Sequence, residues 1–448
     1  MRTALDIKDI PARWYNIVPD LDFAMAPPMS PSGFPLGRHD LENLAASDII
    51  KQELETNSRE VAIPKDVADL YAEWRPTPLY RADKLEKALG TPARIFYKHE
   101  GSNASGGHEM NTAIPQAYFA KLERGVTNIV TATSNGEWGV SLTVACNYFG
   151  LKCKVYMVRS SYEEAAYGRY AMEILGAEVV PSPNESTRVG KKILAQNPNS
   201  PGSLGIALSE AFEEALVKDD TKFSWGTVMN HVLLHQTVIG LETREQLKHV
   251  DVKPDVLIGS VAGGSGFGGL ITPFYRGRSK DLKMIAVETA SAPSLTKGEY
   301  AYDYGDSEGL SPMLKMYTLG HSFMPGSIRA GAMRYHGMSP LISALYREKE
   351  IEARCYTQAE ALEAGITFAR AEGRIPSAES SYAIKAAIDE ANACKEKHES
   401  KNIVFLLDAN SNYDLGSFEQ FVRGALKDQP LLADDLQLSL QRLPKVAG

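Results

Sequence analysis

Asp255-Val256-Leu257-Ile258-Gly259 is a continuous apolar run, and Ser260-Val261-Ala262-Gly263-Gly264-Ser265-Gly266-Phe267-Gly268-Gly269 follows it directly. A run of branched aliphatic residues without polar alternation is what a strand buried on both faces requires. The glycine-rich stretch leads into a helix-like segment, so its amides can converge on an anion at a helix N-terminus. A tight structural turn would also account for the glycines, so this stretch alone leaves both readings open.

Similar runs recur outward in both directions: Arg94-Ile95-Phe96-Tyr97-Lys98, Asn128-Ile129-Val130-Thr131, Lys154-Val155-Tyr156-Met157-Val158, Met284-Ile285-Ala286-Val287-Glu288 and Ile403-Val404-Phe405-Leu406-Leu407. Each leads into a longer amphipathic segment. Alternation of this kind predicts an α/β fold with two open parallel sheets rather than a barrel. In such sheets ligands sit beyond the carboxyl ends of the strands. The loops that deserve inspection are therefore 101–111, 131–139, 259–269 and 408–415.

The remaining sequence bounds the function. At 448 residues the chain suits two domains sharing a cleft. Residues 1–75 read as an N-terminal extension, proline-rich at first and helical from Asp40 to Asn57. Residues 76–225 read as an N-terminal α/β domain, and 226–448 as a C-terminal one. A formal charge of −8 argues against nucleic acid or an anionic membrane as partner, since both demand clustered Lys and Arg. A small-molecule substrate is expected instead. The cysteines, Cys146, Cys153, Cys355 and Cys394, have neither disulfide-framework nor zinc spacing. No apolar stretch reaches the roughly 18 residues needed to span a bilayer, and the first residues lack a signal-peptide core, so a cytoplasmic location is expected.

Several segments, in matching order and spacing, resemble one family. They are Trp14-Tyr15-Asn16-Ile17, Trp74-Arg75-Pro76-Thr77-Pro78-Leu79, Gly107-His108-Glu109-Met110-Asn111-Thr112-Ala113, Tyr156-Met157-Val158-Arg159, Gly176-Ala177-Glu178-Val179, Asn230 through Gly240, and Arg334-Tyr335-His336-Gly337-Met338. Together they resemble the tryptophan synthase β chain in its long second form, a fold-type II pyridoxal-phosphate enzyme. The likeness runs from about residue 14 to about residue 420. It implies a homodimer, and a mobile subdomain at about 156–200 that closes over substrate. Whether an α subunit is retained cannot be inferred from these residues.

The family's chemistry needs one lysine amine to hold the cofactor as an imine. The family pattern Gly-Ser-His-Lys-x-Asn-Thr-Ala stands here as Gly106-Gly107-His108-Glu109-Met110-Asn111-Thr112-Ala113, so Glu109 takes the lysine position. The family loop that begins with a catalytic glutamate reads Ala132-Thr133-Ser134-Asn135-Gly136-Glu137-Trp138-Gly139, so that acid is Ala132. The phosphate loop Gly-Gly-Gly-Ser-Asn has become Ala262-Gly263-Gly264-Ser265-Gly266. Asp408-Ala409-Asn410-Ser411 replaces the family's Ser-Gly-His-Gly, whose serine faces the cofactor ring, while Glu379 is kept.

These departures fall on the cofactor wall while the scaffold reads cleanly. They lead us to expect a lyase, isomerase or cyclase working without a covalent pyridoxal phosphate. Glu109, Glu137, His108 and Asp408 are the expected acid/base groups, because unpaired carboxyls sharing a cleft drive pKa values apart. Asn111, Thr133, Ser134, Asn135, Gly136 and Glu379 are expected to bind substrate. Gly263, Gly264, Ser265 and Gly266 are expected to keep an anion site. Two other readings are a non-catalytic or regulatory copy, and a non-covalent binder of pyridoxal phosphate with Asp408 at its ring nitrogen. The carboxylates would suit a hard cation, but no ligand spacing marks a metal site. His231, His235 and His336 read as scaffold.

Overall fold

Asn402–Leu407 spells Asn-Ile-Val-Phe-Leu-Leu, and all but its first residue are buried. It forms the middle of the larger sheet because nothing on either face tolerates water, so it needs a strand on each side and helices above and below. The computed structural model describes residues 2–164, 166–326, 328, 330–428 and 431–445. In it Asn402–Leu407 pairs in parallel with Arg94–His99 on one side and with Val256–Ser260 on the other. Lys283–Thr289 and Glu352–Tyr356 continue the sheet in parallel. Leu79–Arg81 and Arg2–Thr3 close the opposite edge with antiparallel pairing, making a sheet of seven strands.

The second sheet has four strands, in the order Glu178–Ser182, Lys152–Val158, Asn128–Thr133, Thr221–Phe223, all parallel. Every apolar run singled out in the sequence is a strand of one sheet or the other. The expected α/β architecture with two open parallel sheets is the one observed.

The expected division at residues 75/76 and 225/226 does not describe the sheets. Arg94–His99 and Leu79–Arg81 lie in the sheet otherwise built from residues 256–407, and even Arg2–Thr3 joins its edge. Only residues 128–223 supply the smaller sheet. Apolar periodicity marks a strand but carries no sign of its neighbour, because pairing is decided by packing far along the chain. An antiparallel ribbon, Glu299–Tyr304 with Met313–Thr318, was not anticipated.

Three apolar clusters fill the space between layers. The largest surrounds the smaller sheet and takes in Trp14, Tyr71 and Ile49 from the N-terminal extension. Two others cover the faces of the larger sheet, with Tyr97, Phe368 and Phe405 on one side and Phe96, Leu257 and Phe267 on the other. Truncating a fully buried ring such as Phe405 would cost about 3–5 kcal/mol in lost transfer energy and cavity formation. No described helix is long and apolar enough to cross a membrane.

Candidate functional site

A cavity of about 100 Å³ opens where the two sheets meet at their carboxyl ends. Four sequence stretches converge there. His108 and Glu109 follow strand Arg94–His99; Thr131 through Asn135 and Trp138 follow Asn128–Thr133; Ser260 and Ala262 through Gly266 follow Val256–Ser260; Asp408 follows Asn402–Leu407. Each is a loop that the strand pattern singled out.

Two glycines let the chain turn from strand to helix beside the cavity. Gly264 (φ +93°) precedes helix Ser265–Tyr275, and Gly136 (φ +100°) precedes helix Glu137–Phe149. A Cβ would be strained at either φ. At Gly136 it would also come within 2.8 Å of the Gly168 backbone. Both helices thus begin at the cavity, where their first amides lack intrahelical partners.

Glu109 is the last residue before helix Met110–Leu122. Its loop is tied to the strand beside it: His108 N donates to Asp408 O at 2.9 Å, and Asn410 N donates to Gly106 O at 2.9 Å. Ser141 Oγ, on helix Glu137–Phe149, donates to Ser105 Oγ at 2.9 Å and draws that helix against the same loop. A Cβ on Gly107 would lie 2.6 Å from Glu137 Oε1 and 3.0 Å from Glu109 Oε2. Bare backbone is therefore what lets these two carboxyls face each other's space.

Glu109 is 8% exposed, and its Oε2 has no hydrogen-bond partner. Burial pushes its carboxyl up to about 7; His108 opposes the rise and Asp408 adds to it. Glu137 is raised well above the usual carboxylate range, first by burial and then by the charges of Glu109, Asp414, Glu379 and Asp408. Glu379, lining the cavity at the start of helix Ser380–Lys397, is raised by burial and by Asp408 and Glu109. Asp414 is raised to about 6 by burial, although the Ala378 amide donates to it at 2.8 Å.

Asp408 is a different kind of carboxylate. Ser260 Oγ donates to its Oδ2 at 2.7 Å, Ser377 Oγ donates to its Oδ1 at 3.1 Å, and Ser380 Oγ donates to Oδ1 as well. Asp408 lines the cavity with both of its oxygens engaged by these hydroxyls.

The other expected residues divide. Thr133, Ser134, Asn135, Gly263, Gly264, Ser265 and Gly266 line the cavity with Glu379. Asn111 does not. It is fully buried, accepting from Arg75 Nη1 at 2.7 Å and donating to Glu100 and Gln236. The helix that begins one residue earlier turns it away from Glu109 and into a buried ion network. Gly136 meets Gly168 rather than the cavity, and Glu137 reaches Glu109 from behind the lining. An asparagine at 266 would meet His108 and Leu406, which lie 3.1–3.3 Å from where its Cβ would be.

Further polar atoms at the cavity lack partners: His108 Nδ1, Ser134 Oγ and Thr227 Oγ1. Buried polar groups are normally satisfied, so each orphan marks a place where a ligand or water completes the structure. Among the described residues no lysine lines the cavity. Lys98, the nearest in sequence, is fully buried and spent on Glu242 (2.7 Å), Thr77 O and Gln246. Among the described residues no three His, Cys, Asp or Glu side chains form a metal-binding group. His231 pairs with Glu53, His235 with Thr112 and Gln52, and His336 with Tyr304 O, all as scaffold contacts.

The sequence reading missed the rest of the wall: Leu204, Leu208 and Phe212, Trp225 through Met229, Gly305, Ser311, Pro312, Leu314, Ala332 and Tyr335. The three from helix Leu204–Val217 form one stripe at helical spacing, and Ser203 caps that helix through Ile206 N. Trp225 follows strand Thr221–Phe223, so the carboxyl-end rule would have found it had three residues sufficed to mark a strand. Asp414 carried no motif at all.

Residues 70–408 match the family profile described as pyridoxal-phosphate dependent enzyme. The chain is 49% identical over 427 residues to tryptophan synthase beta chain 2 of Aquifex aeolicus, covering 94% of this chain and 98% of that protein. It is 47% identical over 427 residues to tryptophan synthase beta chain 2 of Methanosarcina mazei, with 94% and 96% covered. To the tryptophan synthase beta chain of Pyrococcus horikoshii it is 48% identical over 426 residues, with 94% and 92% covered. Among solved structures, a fungal L-serine ammonia-lyase from Rhizomucor miehei superposes with a TM-score of 0.59 at 17% identity, over 78% of this chain and 98% of that one, and so shares the fold. On these likenesses and on its two-sheet cleft, the chain belongs to the pyridoxal-phosphate-dependent enzyme family, within its tryptophan synthase β-chain branch.

Proposed function

We propose that this member of the family works without a lysine-linked cofactor and uses Glu109 as a general acid and base on a small organic substrate. The carrying observation is the Glu109 carboxyl itself: buried at the cavity, one oxygen unpartnered, and held at about 7 by burial. An acid of that strength is near half-protonated at neutral pH, the condition under which it can both give and take a proton. The cavity residues do not fit a lysine-linked pyridoxal phosphate, whose chemistry depends on an amine that no described lining residue supplies.

In this reading each remaining residue has a part. Glu137 lies against Glu109 and, by like charge, keeps one proton in the pair. His108, fixed through Asp408 O and near Ser265 Oγ at 3.4 Å, presents its free Nδ1 to a substrate oxygen or nitrogen. Ser134 and Asn135 orient the substrate, with Thr133 Oγ1 accepting from Gly136 N to hold their loop. The amides of Gly263 through Gly266, at the start of helix Ser265–Tyr275, receive an anionic substituent. Proton abstraction and return then give elimination, isomerisation or an acid-assisted cyclisation or condensation.

Borohydride reduction of the purified protein after addition of pyridoxal phosphate, followed by mass analysis, checks the first half. No stable adduct on a cavity residue is expected, nor any tryptophan from serine and indole. Either product would overturn the reading. On the true substrate, Glu109→Gln should lower kcat by about 10²–10⁴-fold, the usual contribution of a positioned acid or base. Unchanged turnover in that variant would be equally fatal. Non-covalent binding of pyridoxal phosphate keeps some support from the helix N-terminus at Gly264. A rise in melting temperature on its addition, without a reducible adduct, is the outcome that would favour it.

A further inference from the structure

The cavity wall has a charge imbalance that the acid/base reading leaves unused. Glu109, Glu379 and Asp408 line it, with Glu137 and Asp414 directly behind, and among the described lining residues there is no Lys or Arg. Burial and mutual repulsion hold Glu109, Glu137, Glu379 and Asp414 above the ordinary carboxylate range. Asp408 instead has both oxygens engaged by the hydroxyls of Ser260, Ser377 and Ser380. An ionised carboxylate in such a place needs a cation or several donors. Glu109 Oε2 has neither among the described residues.

The larger-sheet side supplies Glu109, Glu379, Asp408 and Asp414, and Glu137 comes from the helix after strand Asn128–Thr133. The smaller-sheet side supplies Trp138, Phe212 and Trp225, joined by Leu204, Leu208 and Leu314. Aromatic faces attract cations as well as flat apolar bodies. On these two features, and resting on the acid/base reading of the same cavity, we propose that the substrate is an amine. Its ammonium group sits between Glu109 and Glu379, and its planar apolar body lies against Trp138, Phe212 and Trp225.

An ammonium donates three hydrogen bonds and accepts none. It therefore satisfies Glu109 Oε2 and Glu379 without competing with the serines on Asp408. Arrival of that charge also favours ionisation of Glu109, which turns it into the stronger base only when substrate is present. The orphan hydroxyls of Ser134 and Thr227 are left for a second polar substituent.

Calorimetric titration of the full-length protein at pH 8 with three matched probes tests this. The probes are 2-phenylethylamine, 2-phenylethanol and 3-phenylpropanoate. The amine should bind roughly tenfold to a hundredfold tighter than the alcohol, the gain expected of one charge-assisted hydrogen bond, and the carboxylate should bind weakest. Glu109→Gln and Glu379→Gln should each remove most of the amine's advantage and leave the affinity for the alcohol unchanged. Equal binding of amine and alcohol, or tighter binding of the carboxylate, would overturn the assignment. So would an equal loss of both ligands in variants whose melting curves remain cooperative. Such a failure, alongside lost turnover in Glu109→Gln, would leave the acid/base reading standing. A borohydride-reducible adduct in a protein that still prefers the amine would strike the acid/base reading alone.

Discussion

Glu100 and Glu109 are both buried carboxyls, nine positions apart, and their surroundings drive them in opposite directions. Burial alone would raise Glu100, but Arg75 and Lys98 outweigh it and hold the group down at about 2. Arg75 forks between Glu100 and Glu242 at 2.8 Å each, and Lys98 closes the set on Glu242 at 2.7 Å. Two cations face two carboxylates with every side chain fully buried. Among the described residues Glu109 faces other acids and one histidine, and rises to about 7. The first cluster is a finished structure that knits the Trp74–Leu79 segment to the helix bearing Glu242. In the second, Glu109 Oε2 has no hydrogen-bond partner among the described residues. Buried charge that is compensated marks scaffold, and buried charge that is not marks the site.

The sharpest way to break this contrast is to unbalance the scaffold cluster. Arg75→Met leaves Glu100 and Glu242 buried with too little positive charge, and should cost about 3–5 kcal/mol in urea unfolding. A loss below about 1 kcal/mol would mean that the network stores no more than a surface pair does. A smaller effect separates the two kinds of carboxylate within the cavity. Asp408→Ala strands the hydroxyls of Ser260, Ser377 and Ser380 and should cost about 1–3 kcal/mol, measured by the same unfolding curves.

Glu109→Gln should do the reverse. The native state holds a proton on Glu109 up to about pH 7, whereas an unfolded glutamate releases it near its ordinary value of 4.5. The stability that protonated Glu109 permits is therefore fully present below 4.5 and is lost as pH rises through 7. Glutamine does not titrate. The variant should match the wild type near pH 4.5, then gain on it through that window by about 3 kcal/mol, and stay ahead above pH 7. Thermal unfolding of both proteins from pH 4.5 to 8 gives the gap directly. A constant gap, or one that closes with rising pH, would show that Glu109 is paired after all. A variant more stable and less active than its parent is the usual signature of a group kept strained for function.

Much of this was legible in the chain. Six apolar runs became six strands, and the rule placing ligands at strand carboxyl ends found four of the loops that meet at the cavity. Glu109, Glu379 and the Gly263–Gly266 turn were named from motif position and line the same wall. Asn111 was misplaced because a motif gives proximity along the chain, while a helix starting at Met110 turns successive residues to different sides. Trp225 and the Leu204, Leu208, Phe212 stripe were missed because apolar residues at helical spacing look the same whether they face a core or a ligand.

The sequence by itself determined the fold class, the family and the chemical type of the wall. Those depend on residue identity and local period, which are written residue by residue. Tertiary structure alone decided which carboxyls are spent and which are free. Asp408 and Glu109 are both acids next to a strand end, and only the arrival of three serines from distant segments gives the first its hydrogen-bond donors. Only the bare backbone at Gly107 lets Glu137 press on the other. Ionisation is a property of the space around a group, and that space is assembled from residues hundreds of positions apart.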